Sequence, residues 1–282
     1  MRVLIATAGL SHDEAVLHLG AQIARQVREP STILTVARDE EDRAQADGVS
    51  SHAREVLGAE GLDVQSRVRV GNPAVEIIRE AEDGGYDLVI VGERQERNLL
   101  RRFVHGSTTV RVVEHAPCAV IVAKGKAGPV RRILLCDSGA QNTSLQHDAG
   151  PSLLSRFTAE FTGLLSGDEE VVVLHVMSQI SAGPGVVGRQ LRSNARELID
   201  EHTPEGELLQ EDLCALERLG VHARGEVRHG LVVDEILVEA QTGDYDLVVI
   251  GAYRGEGWQR ILLDDQAHRI LVQLDRPVLV VR

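Results

Sequence analysis

Short, fully apolar segments alternate along the chain with longer segments whose apolar positions recur every three or four residues. In the first half, this pattern predicts five strands and four helices. The strands are predicted at 2–7, 32–37, 63–70, 87–92 and 118–123, and the helices near 12–28, 41–60, 73–84 and 107–115. The strands are apolar at consecutive positions and rich in β-branched residues, which is typical of a parallel sheet covered on both faces. The alternation predicts an open, doubly wound α/β sheet.

The same pattern occurs a second time. Segment 61–71 and the strand that ends at Gly92 recur at 220–230 and at Gly251, with a constant offset of 159 residues. A repeat of this length predicts two tandem domains of five strands each. We place them at 1–124 and 130–282, joined by a linker at about 125–129 that is rich in Gly and Pro.

The composition and charge of the chain argue against some classes of binding partner. The 282 residues carry a net charge of −13, which argues against binding to nucleic acid or to an anionic membrane surface. The three cysteines are widely spaced, as in an intracellular protein without a zinc site. No apolar run approaches the roughly 20 residues of a membrane helix, and the first residues lack a signal-peptide pattern. We therefore expect a cytoplasmic protein without membrane insertion.

The order and spacing of several motifs, part of them present in both halves, resemble the universal stress protein family in its tandem-domain form. They are the loop Gly71-Asn-Pro73, the strand Asp87–Gly92, the segment Gly106-Ser-Thr-Thr109 before a helix, and the final strand of each half. The resemblance covers nearly the whole chain. It implies a Rossmann-like fold of the adenine nucleotide alpha hydrolase type, and many members of the family bind ATP at the carboxyl ends of the strands.

The resemblance also implies which residues form a nucleotide site. The family has Asp at the end of strand 1, Val at the end of strand 2, Gly-x-x-Gly after strand 4, and a Gly-Ser/Thr motif at the start of the last helix. Glycines admit the phosphates, and helix amides and hydroxyls bind them. The candidates in the first domain are Thr7, Val36, Val91, Gly92, Arg94, Gly106, Ser107, Thr108 and Thr109. Thr7 replaces the family's Asp and Gln95 replaces its second Gly, which predicts a degenerate site.

The second domain departs from the family pattern at the opposite end of the site. Its candidates are Asp137, Val176, Gly251 and Gly255. Asp264 and Asp265, however, occupy the position of the Gly-Ser motif, where they would repel a triphosphate and cap the helix themselves. We therefore expect at most one nucleotide site, in the first domain rather than the second. Its ligand would be ATP or AMP with Mg²⁺; the alternative is that neither domain binds a cofactor.

No catalytic motif or metal-ligand set stands out in the sequence, so we expect a non-catalytic regulatory role in a stress response. The alternatives are a nucleotide-independent scaffold for protein contacts and a weak ATP hydrolase. An exposed apolar edge strand needs a partner. We therefore expect the final strands, 119–122 and 278–281, to pair within the chain. A homodimer and a protein partner of unknown identity are further expectations.

Overall fold

The chain folds into two compact units. The computed structural model describes residues 1–9, 13–93, 108–125, 128–136, 153–165, 168–177, 193–251 and 265–281. The first unit contains Met1–Pro129 together with the C-terminal Asp275–Arg282, and the second contains Val130–Gly251 and Asp265–Leu274. Each has a mostly parallel sheet with alternating helices, as the pattern predicts, and the last strand of the second half belongs to the first unit.

The first unit is built on strands in the order β3-β2-β1-β4-β5-β10. The first five pair in parallel, and β10 pairs antiparallel with β5. The strands are β1 (Val3–Thr7), β2 (Ser31–Ala37), β3 (Val64–Val70), β4 (Leu88–Gly92), β5 (Ala119–Ala123) and β10 (Val278–Val281). The predicted pairing of the two final strands is therefore present, with Val278 opposite Val122 and Val280 opposite Val120.

Helices cover both faces of this sheet. They are α1 (Asp13–Ala24), α2 (Arg43–Ala59), α3 (Pro73–Gly84) and α4 (Thr108–His115). The first two pack together on one face, and α3 packs with α4 on the other. The start of α3 is as predicted: the side chain of Asn72 accepts hydrogen bonds from the next amides, and Pro73 occupies the first turn. The prediction for α1 runs four residues too far, because the chain turns before Pro30, which disfavours helix in the residue before it.

The second unit repeats the parallel arrangement with strand order β9-β6-β7-β8. Its strands are β6 (Arg132–Cys136), β7 (Glu170–Met177), β8 (His222–His229) and β9 (Leu247–Gly251). Its helices are α5 (Leu153–Leu165), α6 (Ala195–Asp200), α7 (Pro204–Arg218), α8 (Val232–Thr242) and α9 (Asp265–Gln273). Within the described ranges, no helix combines the length and the apolar character needed to cross a membrane.

A buried ion-pair cluster between the edge strand and the following helix occurs in both units. In the first unit the carboxylate of Glu80 on α3 accepts hydrogen bonds from Arg67 and Arg69 of β3. The hydroxyl of Tyr86 also lies 3.3 Å from it. In the second unit Glu239 accepts from Arg228 at 2.6 Å and from Tyr245 at 2.7 Å. These interactions connect β3 with α3 and β8 with α8.

In the second cluster, the hydrogen bond between Glu239 and Tyr245 shifts the pKa of both groups. Burial by itself would raise the pKa of Glu239, but hydrogen bonds from Tyr245 and Arg228 outweigh burial and hold the pKa below its usual value of 4.5. Burial and the hydrogen bond to Glu239 together raise the pKa of the Tyr245 hydroxyl. The cluster is therefore most favourable with Glu239 ionised and Tyr245 neutral.

We expect the contribution of Glu239 to stability to depend on pH. A carboxylate whose pKa is lower in the folded than in the unfolded state stabilises the fold above its unfolded pKa, and this stabilisation is lost as the pH falls through the folded pKa. Urea unfolding of the protein and of Glu239→Gln should therefore differ most at neutral pH and converge in acid. A difference that stays constant from neutral pH into acid would contradict the lowered pKa.

Candidate functional site

The carboxyl ends of the parallel strands of the first unit meet at one edge, where the predicted nucleotide site lies. Thr7 ends β1 and is the register partner of Thr35 on β2. Their hydroxyl oxygens are 2.9 Å apart and both side chains are buried. The hydroxyl of Thr7 is therefore hydrogen-bonded inside the sheet. Val36, the next residue on β2, is partly exposed.

We expect Thr7→Val to lower the free energy of unfolding by about 1–2 kcal/mol, because it leaves the hydroxyl of Thr35 buried without its partner. The double variant with Thr35→Val should cost less than the sum of the two single changes, since it removes both polar groups. Urea unfolding of the four proteins measures this coupling. Strictly additive costs would mean that the two hydroxyls do not interact.

The loop after β1 is held by an acidic side chain from the next helix. The carboxylate of Asp13, the first residue of α1, accepts hydrogen bonds from the amides of Ala8 and Gly9. Gly9 has φ of +71° and packs so closely on Val49 of α2 that a Cβ would lie 2.3 Å from it. An anionic group therefore already occupies these two amides. Asp13 was not among the predicted site residues; the glycine after β1 was the available signal.

The end of β4 is tied to the start of α4. The hydroxyl of Thr109 donates to the carbonyl oxygen of Gly92 at 3.0 Å, and Val91 is buried in the sheet. Thr108, the first residue of α4, has an exposed side chain. The edge thus brings together Thr109 and Gly92 and leaves Thr108 accessible. Arg94, Gly106 and Ser107 lie outside the described residues.

A buried lysine, Lys124, also lies at this edge of the sheet. The side chain of Lys124, which follows β5, is only 3% exposed and its Nζ lies 3.0 Å from a carboxylate oxygen of Glu93. Lys124 was predicted as the last residue of the first domain, without a role in the site. Because Glu93 directly follows Gly92, this ion pair lies beside the end of β4.

Fewer of the predicted residues fall in the described part of the second unit. Val176 on β7 and Gly251 at the end of β9 are both partly exposed. Asp137, Gly255 and Asp264 lie outside the described residues. Asp265 is the first residue of α9, and its side chain is also outside the described set. Among the described side chains of the chain, no group of three or more His, Cys, Asp or Glu is arranged to hold a metal ion.

A groove with a volume of about 910 Å³ lies between α1 and α2 of the first unit. It starts at Gly9 and Asp13, beside the strand ends, and extends along the two helices to Glu60. Thr7, Val36 and Gly92 do not line it.

Parallel, doubly wound α/β units in tandem, with polar side chains gathered at the carboxyl ends of the strands, define a protein of the Rossmann-like class. The profile of the universal stress protein family matches residues 1–124 and 159–282. The chain belongs to the universal stress protein family.

Three solved structures share the fold over almost the whole chain. A functionally unknown protein from Pseudomonas aeruginosa PAO1 aligns with a TM-score of 0.69 at 18% identity, over 99% of this chain and 92% of that chain. The same values hold for a putative universal stress protein from Pseudomonas aeruginosa UCBPP-PA14. A universal stress protein from Archaeoglobus fulgidus DSM 4304 aligns with a TM-score of 0.63 at 18% identity, over 100% of this chain and 96% of that chain. No curated protein matches the sequence significantly.

Proposed function

We propose that the chain is a non-catalytic regulatory protein of a stress response, with at most one adenine-nucleotide site, in the first unit rather than the second. The observation that carries this proposal is the start of the last helix in each copy. Thr108, with an exposed side chain, opens α4, whereas Asp265 opens α9. Free amides and the dipole at a helix N-terminus attract a phosphate. A carboxylate at the same place supplies its own negative charge and repels the phosphate.

The residues at the end of β1 favour a nucleotide site of low affinity. Thr7 offers no carboxylate to the ribose or the base, and its hydroxyl is bonded to Thr35. Among the described residues, further polar groups at this edge belong to Gly92, Thr108 and Thr109 and to the Lys124–Glu93 pair. This set suits a phosphate better than a base, so we propose ATP or AMP, with Mg²⁺ shielding the phosphates, as a ligand of modest affinity.

The contact of Asp13 with the loop favours a second candidate function. Its carboxylate occupies the amides of Ala8 and Gly9, which are otherwise available to an anionic ligand. A chain whose strand edge is satisfied internally would act as a scaffold for protein contacts without nucleotide. The two candidates differ in one measurable property, the binding of ATP or AMP.

Calorimetric titration of the full chain with ATP and Mg²⁺, and with AMP, tests the proposal. We expect no more than one nucleotide per chain, and an affinity reduced about tenfold by Ser107→Ala, the loss of one hydrogen bond to a charged group. Ser51→Ala, on the exposed face of α2, is the control and should bind like the parent. No heat and no thermal shift at millimolar ATP would exclude the nucleotide site and favour the scaffold. Phosphate release abolished by Ser107→Ala would instead support ATP hydrolysis.

The difference between the copies gives a further prediction. Changing Asp264→Gly together with Asp265→Ser should raise the affinity of the second unit for ATP at least about tenfold, because two negative charges leave the phosphate position. The measurement is the same titration, in which the stoichiometry should approach two. Glu207→Gln with Glu211→Gln removes the same charge from the exposed face of α7 and should change nothing. Equal gains in the two double variants would indicate a general charge effect.

A further inference from the structure

The carboxyl ends of β7 and β8 bring together three side chains with metal-binding atoms. His175 and Met177 are two residues apart on β7, so they lie on the same face of the sheet. Met177 is the register partner of His229, the last residue of β8. All three are partly exposed. The nucleotide proposal uses none of them.

The hydrogen bond of His229 decides which of its nitrogens is available. Nε2 lies 2.9 Å from the carbonyl oxygen of Ser193. A carbonyl oxygen only accepts, so Nε2 carries a proton, and in the neutral imidazole Nδ1 keeps its lone pair. That Nδ1 is buried and finds no hydrogen-bond partner among the described residues. A buried acceptor without a partner is unfavourable, which indicates that something else satisfies it.

The same arrangement is the one that metal-binding histidines adopt. A ligating imidazole usually donates its other N–H to a carbonyl or carboxylate, which fixes the tautomer and the ring orientation. The carbonyl of Ser193 has this role for His229. Ser193 is itself buried and lies just before α6, so a buried residue holds the ring.

We propose that His229 and Met177, with His175 beside them, form a site for a monovalent soft metal ion of the Cu⁺ class. Thioether sulfur selects soft ions, and imidazole binds copper well. The ligands are Nδ1 of His229 and the sulfur of Met177, and His175 supplies a third donor. A zinc or magnesium site would instead need thiolates, further histidines or carboxylates. The described residues contain no such cluster.

The methionine content of the chain provides a direct test. Met1 and Met177 are the only methionines, so protein labelled with ¹³C at the methionine methyl groups gives at most two signals. Ag⁺ serves as a redox-inert substitute for Cu⁺ and is added to the full chain, without nucleotide, beyond one equivalent for each of the three cysteines. We expect the Met177 methyl signal to shift and then saturate. Cu⁺ added under anaerobic conditions should produce a shift of the same signal.

Two matched variants separate the site from incidental binding. His229→Gln keeps a donor for the carbonyl of Ser193 but removes the imidazole lone pair, and should abolish the shift while the far-ultraviolet circular dichroism stays native. His222→Gln, at the exposed opposite end of β8, should leave the shift intact. A Met177 signal unmoved by excess Ag⁺, or moved equally in His229→Gln, would overturn the proposal. Because no nucleotide is present, neither result depends on whether ATP binds.

Discussion

Glu80→Ala is expected to lower the free energy of unfolding by about 2–3 kcal/mol, since it removes a buried carboxylate that accepts hydrogen bonds from two arginines and a tyrosine. The carboxylate of Glu80 is fully buried. It accepts from Arg67 at 2.8 Å, from Arg69 at 2.7 Å and from Tyr86 at 3.3 Å. Its removal would leave the guanidinium of Arg69, only 23% exposed, with Glu76 and Asp83 as its remaining partners.

Urea unfolding of the full chain measures this loss. Glu82→Ala is the matched control, because it removes an exposed carboxylate from the same helix and leaves the cluster intact. The counterpart Glu239→Ala should produce a comparable loss in the second unit. If Glu80→Ala and Glu82→Ala unfold at the same urea concentration, the cluster does not stabilise the fold.

The fold was largely predictable because its strands and helix starts are both recognisable from short stretches of sequence. Apolar runs such as Leu88–Gly92 are recognisable from consecutive β-branched residues, and the start of α3 from Asn72 and Pro73. The ion-pair cluster is different, since Arg69 and Glu80 meet only when β3 and α3 are packed together. The internal repeat did contain a signal for this cluster. Arg228 and Glu239 stand at the same offset of 159 residues as the strand motifs.

The candidate site was predictable in position but not in detail. The carboxyl ends of parallel strands share one edge, so Thr7 and Gly92 were expected to lie close together. The hydrogen bond between Thr7 and Thr35 depends on strand register, and the contact of Asp13 with the loop depends on the loop conformation. Neither follows from residue type. The pairing of Lys124 with Glu93 was also hidden, because a lysine followed by glycine resembles the start of an exposed linker.

A second large loss of stability is expected from a substitution at Gly206, where α6 and α7 are in close contact. Gly206, in the first turn of α7, lies so close to α6 that an added Cβ would be 2.1 Å from the carbonyl oxygen of Leu198 and 2.3 Å from its carbon. Real Cβ atoms do not come this close to backbone, so the two helices would have to separate. The carbonyl of Leu198 also accepts hydrogen bonds from the amide and the hydroxyl of Thr203, and separation would disturb both.

Gly206→Ala should therefore lower the free energy of unfolding by about 3 kcal/mol, at the upper end of the usual cost of overpacking. Gly163→Ala is the matched control with the opposite sign. Gly163 lies on the exposed side of α5 with nothing within 4 Å of an added Cβ, so alanine should gain up to about 1 kcal/mol from its higher helix propensity. Thermal and urea unfolding of both variants measure the difference. Equal stabilities would show that α6 and α7 separate at no cost, and that the contact at Gly206 does not fix their packing.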